Sequence, residues 1–147
     1  MSENTSDLLE AALLCIGAAG ILERRCDRAL SYQGISFSEF RLLRALSAYR
    51  HGAPRIELAQ QVGLTASAVT RALKPLEKLG LIESQRNARD ARQSLTSLTS
   101  AGADYLREGE VAVRTALEQT RLAEFDAQEL ADWGARLGAV RGAGLRR

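Results

Sequence analysis

The sequence predicts a mainly α-helical fold carrying one small β-hairpin, and three observations lead there. Proline and aromatic residues are scarce (two Pro; 5% Phe, Trp and Tyr), whereas the strong helix formers Ala, Leu, Arg and Glu are abundant. Apolar residues recur at three- and four-residue steps through most of the chain. That period fails over Leu81–Arg86 and Ser94–Leu98, two short runs that read as strands around a polar, turn-like segment from Asn87 to Gln93. With 147 residues, 46% of them hydrophobic, the chain has the material for one domain with extensions around a buried core.

The first helix is expected from about Ser6 to Leu30, where Leu8, Ala12, Cys15, Ile16, Ala19, Leu22, Cys26 and Leu30 form one apolar stripe. Gly34 ends it. Ser36 followed by Glu39 is a capping-box pattern, opening a second helix through Phe40, Leu43 and Leu46. His51, Gly52, Ala53 and Pro54 form a turn, and Pro54 suits the start of the helix that follows. From there the spacing is that of a helix-turn-helix. Ala59 is small enough for two helices to cross, Gly63 can take a positive φ, Thr65 can cap the next helix, and Val69 falls in the core. Leu58, Val62, Leu64 and Ala72 fill the remaining apolar positions. A two-stranded hairpin directly after such a pair is a wing.

Pro75 deletes one hydrogen bond inside the second helix of the pair and is expected to kink it without ending it. Thr99 can cap a further helix through Leu106, Val113 and Leu117 to about Arg121. Asp126 with Glu129 opens the last, through Leu130, Trp133, Leu137 and Val140, and the tail from Arg141 to Arg147 is expected to fray.

A net charge of +2 hides a strong asymmetry. Residues 1–40 carry 3 basic and 6 acidic side chains (−3), residues 41–93 carry 10 and 4 (+6), and residues 94–147 carry 7 and 8 (−1). A basic module between mildly acidic arms is the electrostatic footprint of a nucleic-acid-binding segment.

Other classes find little support. No run of about 18 uncharged apolar residues suggests a membrane span, and the N-terminal residues Met1 to Asn4 carry no basic segment of the kind that opens a signal peptide, so a cytoplasmic protein is expected. Two cysteines do not make a disulfide framework. A single histidine, His51, without Cys-x-x-Cys or His-x-x-x-His spacing, leaves a metal site almost no ligands and implies no cofactor. With no nucleophile elbow, phosphate loop or paired carboxylates, an enzyme is not expected.

The runs Leu58 to Arg71, Leu76 to Ile82, Asp90-Ala91-Arg92 and Leu98 to Gly102 together resemble the MarR (multiple-antibiotic-resistance regulator) family over about residues 36–103. The resemblance implies a homodimeric winged-helix transcription factor, most often a repressor, released by a small molecule or by thiol oxidation. It divides the chain into an N-terminal dimerisation helix (1–35), a winged helix-turn-helix DNA-binding unit (36–99) and C-terminal dimerisation helices (100–147). A DNA-independent dimeric interaction module is the alternative outside DNA binding. The apolar stripes of the terminal helices exceed what one small core can cover, and a two-fold dimer on a pseudo-palindromic operator accounts for the surplus.

On a helix starting at Thr65, the residues Ser67, Thr70, Arg71 and Lys74 fall in the first two turns, which a major groove admits. Arg71 suits bidentate reading of a guanine, with phosphate contact the alternative for Arg71 and Lys74; Ser67 and Thr70 suit bases or phosphates, and Thr65 is counted with them as a DNA-contact candidate. The resemblance implies that Arg92 reaches into the minor groove while Asp90 shapes the wing loop, with Arg86 and Arg89 on the backbone. Ser84 and Gln85 stand where the family is usually rich in Arg, which weakens phosphate contact there. It also implies an effector cleft between dimer helices and winged unit, to which Phe40, Arg44, Tyr49 and Arg50 are the candidate contributors, for a small phenolic or organic acid. Cys15 and Cys26, the candidates for a redox thiol, both fall on the apolar stripe, where an inert buried cysteine is expected.

Overall fold

The helix starts marked by the sequence are made by side chains. The structure, a computed structural model, describes residues 2–86 and 94–143. Ser36 accepts from the Glu39 amide (3.2 Å) while Glu39 accepts from the Ser36 amide (2.6 Å), so the capping box is complete. Thr65 accepts from the Ala68 amide, and Thr99 from Gly102. Asp126 and Glu129 cap each other's backbone reciprocally, at 2.9 Å in both directions.

The elements that follow from these starts are α1 (Ser2–Leu30), α2 (Phe37–Leu46), β1 (Ala53–Pro54), α3 (Arg55–Val62), α4 (Ala66–Lys78), β2 (Ile82–Arg86), β3 (Ser94–Leu98), α5 (Ser100–Glu118) and α6 (Ala127–Ala143). Short 3-10 turns at Ser31–Gln33 and Arg121–Glu124 follow α1 and α5. Helix α4 runs through Pro75 unbroken, as expected. Gly63 holds the tight turn between α3 and α4 at φ 68°, where a side chain would be strained.

Three expectations need correction. Helix α1 begins at Ser2 rather than near Ser6. The sheet has three antiparallel strands in the order β1-β3-β2, because Ala53 pairs with Thr96 and Pro54 with Leu95 at its edge. Proline is tolerated there since an edge strand need not donate on both sides. Helix α6 continues through Arg141 and Gly142 to Ala143, the first part of the segment expected to fray, and Arg141 donates to the Gln60 carbonyl (3.2 Å) and is thereby held; residues 144–147 lie outside the described residues.

The core sits where α2, α3 and α4 meet the sheet and the inner faces of α1 and α5. Leu30, Leu42, Leu43, Leu46, Leu58, Leu76 and Val69 are fully buried in it, each worth about 1.5–3 kcal/mol of transfer free energy. Two ties fix α1 against this unit. Arg25 donates to the Ala116 carbonyl (2.7 Å) near the end of α5, and Asp27 accepts from the Phe37 amide (2.5 Å) at the start of α2. The remainder of α1 and most of α6 project apolar side chains, among them Leu9, Leu13, Ile16, Ile21, Trp133 and Val140, into solvent.

Candidate nucleic-acid interface

Helix α4 turns one face inward and the opposite face out. Val69, Leu73 and Leu76 are buried at three- and four-residue steps. At 3.6 residues per turn this places Ser67, Arg71 and Lys74 on the far side, and all three are exposed. Among the described residues neither Arg71 nor Lys74 makes an ion pair, so both present an unneutralised charge outward. Two hydroxyls nearby are already engaged. Thr65 Oγ1 caps the helix and lies 3.2 Å from Ser67 Oγ, and half-buried Thr70 donates back to the Ala66 carbonyl (3.0 Å). Lys78, exposed on the same face one turn beyond Lys74, extends the basic stripe past the two turns considered from sequence.

In the wing, Arg86 is exposed at the end of β2, paired across the ladder with Ser94. Arg89, Asp90 and Arg92 lie outside the described residues. The opposite end of the wing is anchored to α5. Thr99 donates its hydroxyl to the Gly80 carbonyl (2.7 Å) and its amide to the Leu81 carbonyl (3.1 Å).

A cavity of about 790 Å³ opens between α2, α3, α5 and α6. Phe40 and Arg44 line it, together with Phe37, Arg41, Val113, Arg114, Leu117 and Arg141; Tyr49 and Arg50 are not among its lining residues. Arg44 is bound to Glu110 of α5 at 2.5 Å. The sequence analysis did not single out Arg41, Arg114 or Arg141. The first lies three residues before Arg44, a helical spacing that places both toward one side of α2.

The cysteines differ from each other. Cys26 is 1% exposed, and burial, then the neighbouring Asp27 carboxylate, push its thiol up from the ordinary range, which suppresses the reactive thiolate. Cys15 is exposed in the single chain, contrary to the expectation from its place on the apolar stripe, because the stripe has no covering partner there within the chain. Organic hydroperoxide is expected to leave DNA binding intact, and Cys26 to resist thiol reagents until the chain unfolds. Operator release on oxidation, lost in Cys15→Ser, would reverse the first expectation.

A helix-turn-helix that turns the polar, basic face of its second helix outward, followed by a wing, defines a DNA-binding transcriptional regulator of the winged-helix class. The MarR family model matches residues 33–93, spanning α2 to the wing loop. That segment carries the pattern of the MarR family of transcription regulators.

The likeness to solved structures extends beyond that segment. MarR from E. coli in its apo form is 25% identical, with a TM-score of 0.73 over 88% of this chain and 95% of that one. MepR of S. aureus, solved in complex with DNA, is 22% identical, with a TM-score of 0.74 over 90% and 96%. CouR from Rhodococcus jostii RHA1, solved bound to p-coumaroyl-CoA, is 18% identical, with a TM-score of 0.81 over 89% and 91%. No curated protein sequence matches the chain. Among the described residues, no helix is long and apolar enough to cross a membrane.

Proposed function

We propose that the protein acts as a homodimeric, sequence-specific repressor that binds a pseudo-palindromic operator and lets go of it when a small organic anion occupies the cavity. The observation that carries the DNA reading is the exposed Ser67–Arg71–Lys74 face of α4, opposite its buried Val69–Leu73–Leu76 face. A helix presented in this way fits the major groove, with Arg71 reading a base edge and Lys74 and Arg86 on phosphates. Arg89, Asp90 and Arg92 complete the wing contact in this reading, with Arg92 in the minor groove.

Dimerisation is supported by the apolar side chains that α1 and α6 leave in solvent, Leu9 at 62% and Ile16 at 70% exposure among them. Patches of this kind on a small chain mark an interface, and a two-fold pairing covers both arms at once. The effector reading draws on the size of the cavity, within the range of small-molecule sites, on its aromatic and arginine lining, and on the relative solved with an aromatic thioester bound.

The test is a gel shift on the DNA flanking the protein's own coding region, repeated across salt concentrations. Binding is expected with two chains per site and a steep log–log salt dependence set by about 6–10 phosphate contacts. A flat or absent response would favour a dimeric interaction module that does not use DNA.

A further inference from the structure

An α-helix leaves its last four carbonyls without partners inside the helix. In α3 these belong to Ala59, Gln60, Gln61 and Val62. The Ala59 carbonyl accepts from the amides of Gly63 and Leu64, the ordinary closure of a left-handed turn. Guanidinium groups from two distant elements close two of the others: Arg141 of α6 donates to Gln60, and Arg41 of α2 donates to Val62. Positive charge at a helix C-terminus is favoured by the helix dipole. Arg41, Arg141, Gln61 and Val62 also line the 790 Å³ cavity, so these charges are positioned both to hold the end of α3 and to meet whatever enters.

We propose that Arg41 and Arg141 form a clamp that holds α3, and through the Gly63 turn the recognition helix α4, in its DNA-reading position, and that an organic anion in the cavity opens the clamp by taking these guanidinium groups for itself. The proposal rests on the effector reading above. A carbonyl is a neutral acceptor that takes one prong of the guanidinium, whereas a carboxylate or phosphate brings an opposite full charge and a bidentate geometry that matches the fork. An anion therefore wins the exchange once its apolar body is seated against Phe37, Val113 and Leu117. Arg44 is a poorer recipient because Glu110 already holds it. Arg114 also lines the cavity but bonds no α3 carbonyl, so it serves affinity without serving release. Because Arg141 sits on α6, the clamp also ties the DNA-reading unit to the C-terminal arm. Ligand and operator then oppose each other reciprocally, each lowering the other's affinity by one common factor.

The experiment is operator titration by fluorescence anisotropy, with and without saturating 2-hydroxybenzoate as the probe, on the wild type, Arg141→Ala and Arg141→Lys. Amide hydrogen exchange at Gly63 and Leu64 is followed alongside. Both substitutions are on an exposed side chain, and far-UV circular dichroism verifies the fold. The probe is expected to weaken wild-type operator binding about tenfold. Without probe, Arg141→Ala should bind the operator severalfold more weakly than the wild type, exchange faster at Gly63 and Leu64, and lose most of its response to the probe. Arg141→Lys, which keeps one donor, should fall between. If the probe releases the wild type and Arg141→Ala alike from equal starting affinities, the effector reading stands and the clamp is overturned. If the probe leaves the wild type unaffected while Arg141→Ala still weakens the operator and speeds exchange, the effector reading falls and the clamp's hold on α4 stands.

Discussion

Gly102→Ala is expected to destabilise the fold by about 3 kcal/mol, at the upper end of what overpacking usually costs. A Cβ at this position would lie 1.9 Å from the Leu81 carbonyl oxygen and 2.9 Å from its carbon. The obstacle is backbone and cannot rotate away. It is also pinned, since the same carbonyl accepts from the Thr99 amide while the Thr99 hydroxyl bridges the Gly80 carbonyl and the Gly102 amide. Relief requires α5 to move off the wing, breaking the cap that starts the helix. Gly109→Ala meets Gln33 Oε1 at 2.9 Å and the Phe40 ring at 3.0 Å, both side-chain atoms that can shift, so its cost should be clearly smaller. Urea unfolding followed by circular dichroism compares the two. A loss below about 1 kcal/mol for Gly102→Ala would show that the junction yields more easily than its geometry implies.

Arg71→Ala is expected to flatten the protein's preference among operator variants, removing about 1–3 kcal/mol of discrimination at one base position. Of the two cations within about the first two and a half turns of the exposed α4 face, Arg71 can make a planar, two-pronged contact to a guanine edge. The neighbouring Thr70 hydroxyl, spent on the Ala66 carbonyl, is a weak substitute for it. Lys74→Ala should behave differently, weakening all sequences alike and reducing the salt slope by about 1. Anisotropy titrations against a panel of single-base operator variants distinguish the two patterns. Equal discrimination by wild type and Arg71→Ala would remove the base-reading role and leave Arg71 on a phosphate.

The features legible in the sequence were those whose cause is local. Ser36 with Glu39, Thr65, Thr99 and Asp126 with Glu129 announce helix starts because a cap needs residues only three positions apart. Gly63 and Val69 place the helix-turn-helix for the same reason. Strand β1 was missed because two residues, one of them proline, carry no period; its partners Leu95 and Thr96 are some forty positions away. The cavity was legible only in part. Phe40 and Arg44 were reachable along α2, whereas Arg141 becomes a neighbour of Gln60 only once α6 has folded back over 81 positions of chain. Burial of Cys15 was misjudged because periodicity reports which residues share a face, not whether anything covers it.

The apolar side chains left in solvent along α1 and α6 also bear on dosage. In the dimer proposed above, where a second copy completes part of the core, stability ceases to be a property of the chain and becomes a function of its concentration. Dilution then loosens the arms and, with them, the spacing of the two α4 helices. Few copies in a cell leave mostly half-finished protomers, each able to touch one half-site but not two, so DNA occupancy rises more steeply than in proportion to copy number. In such a dimer Leu9, Leu13 and Ile16, although far from α4 in sequence, would help set how much protein is needed before the proposed operator is filled.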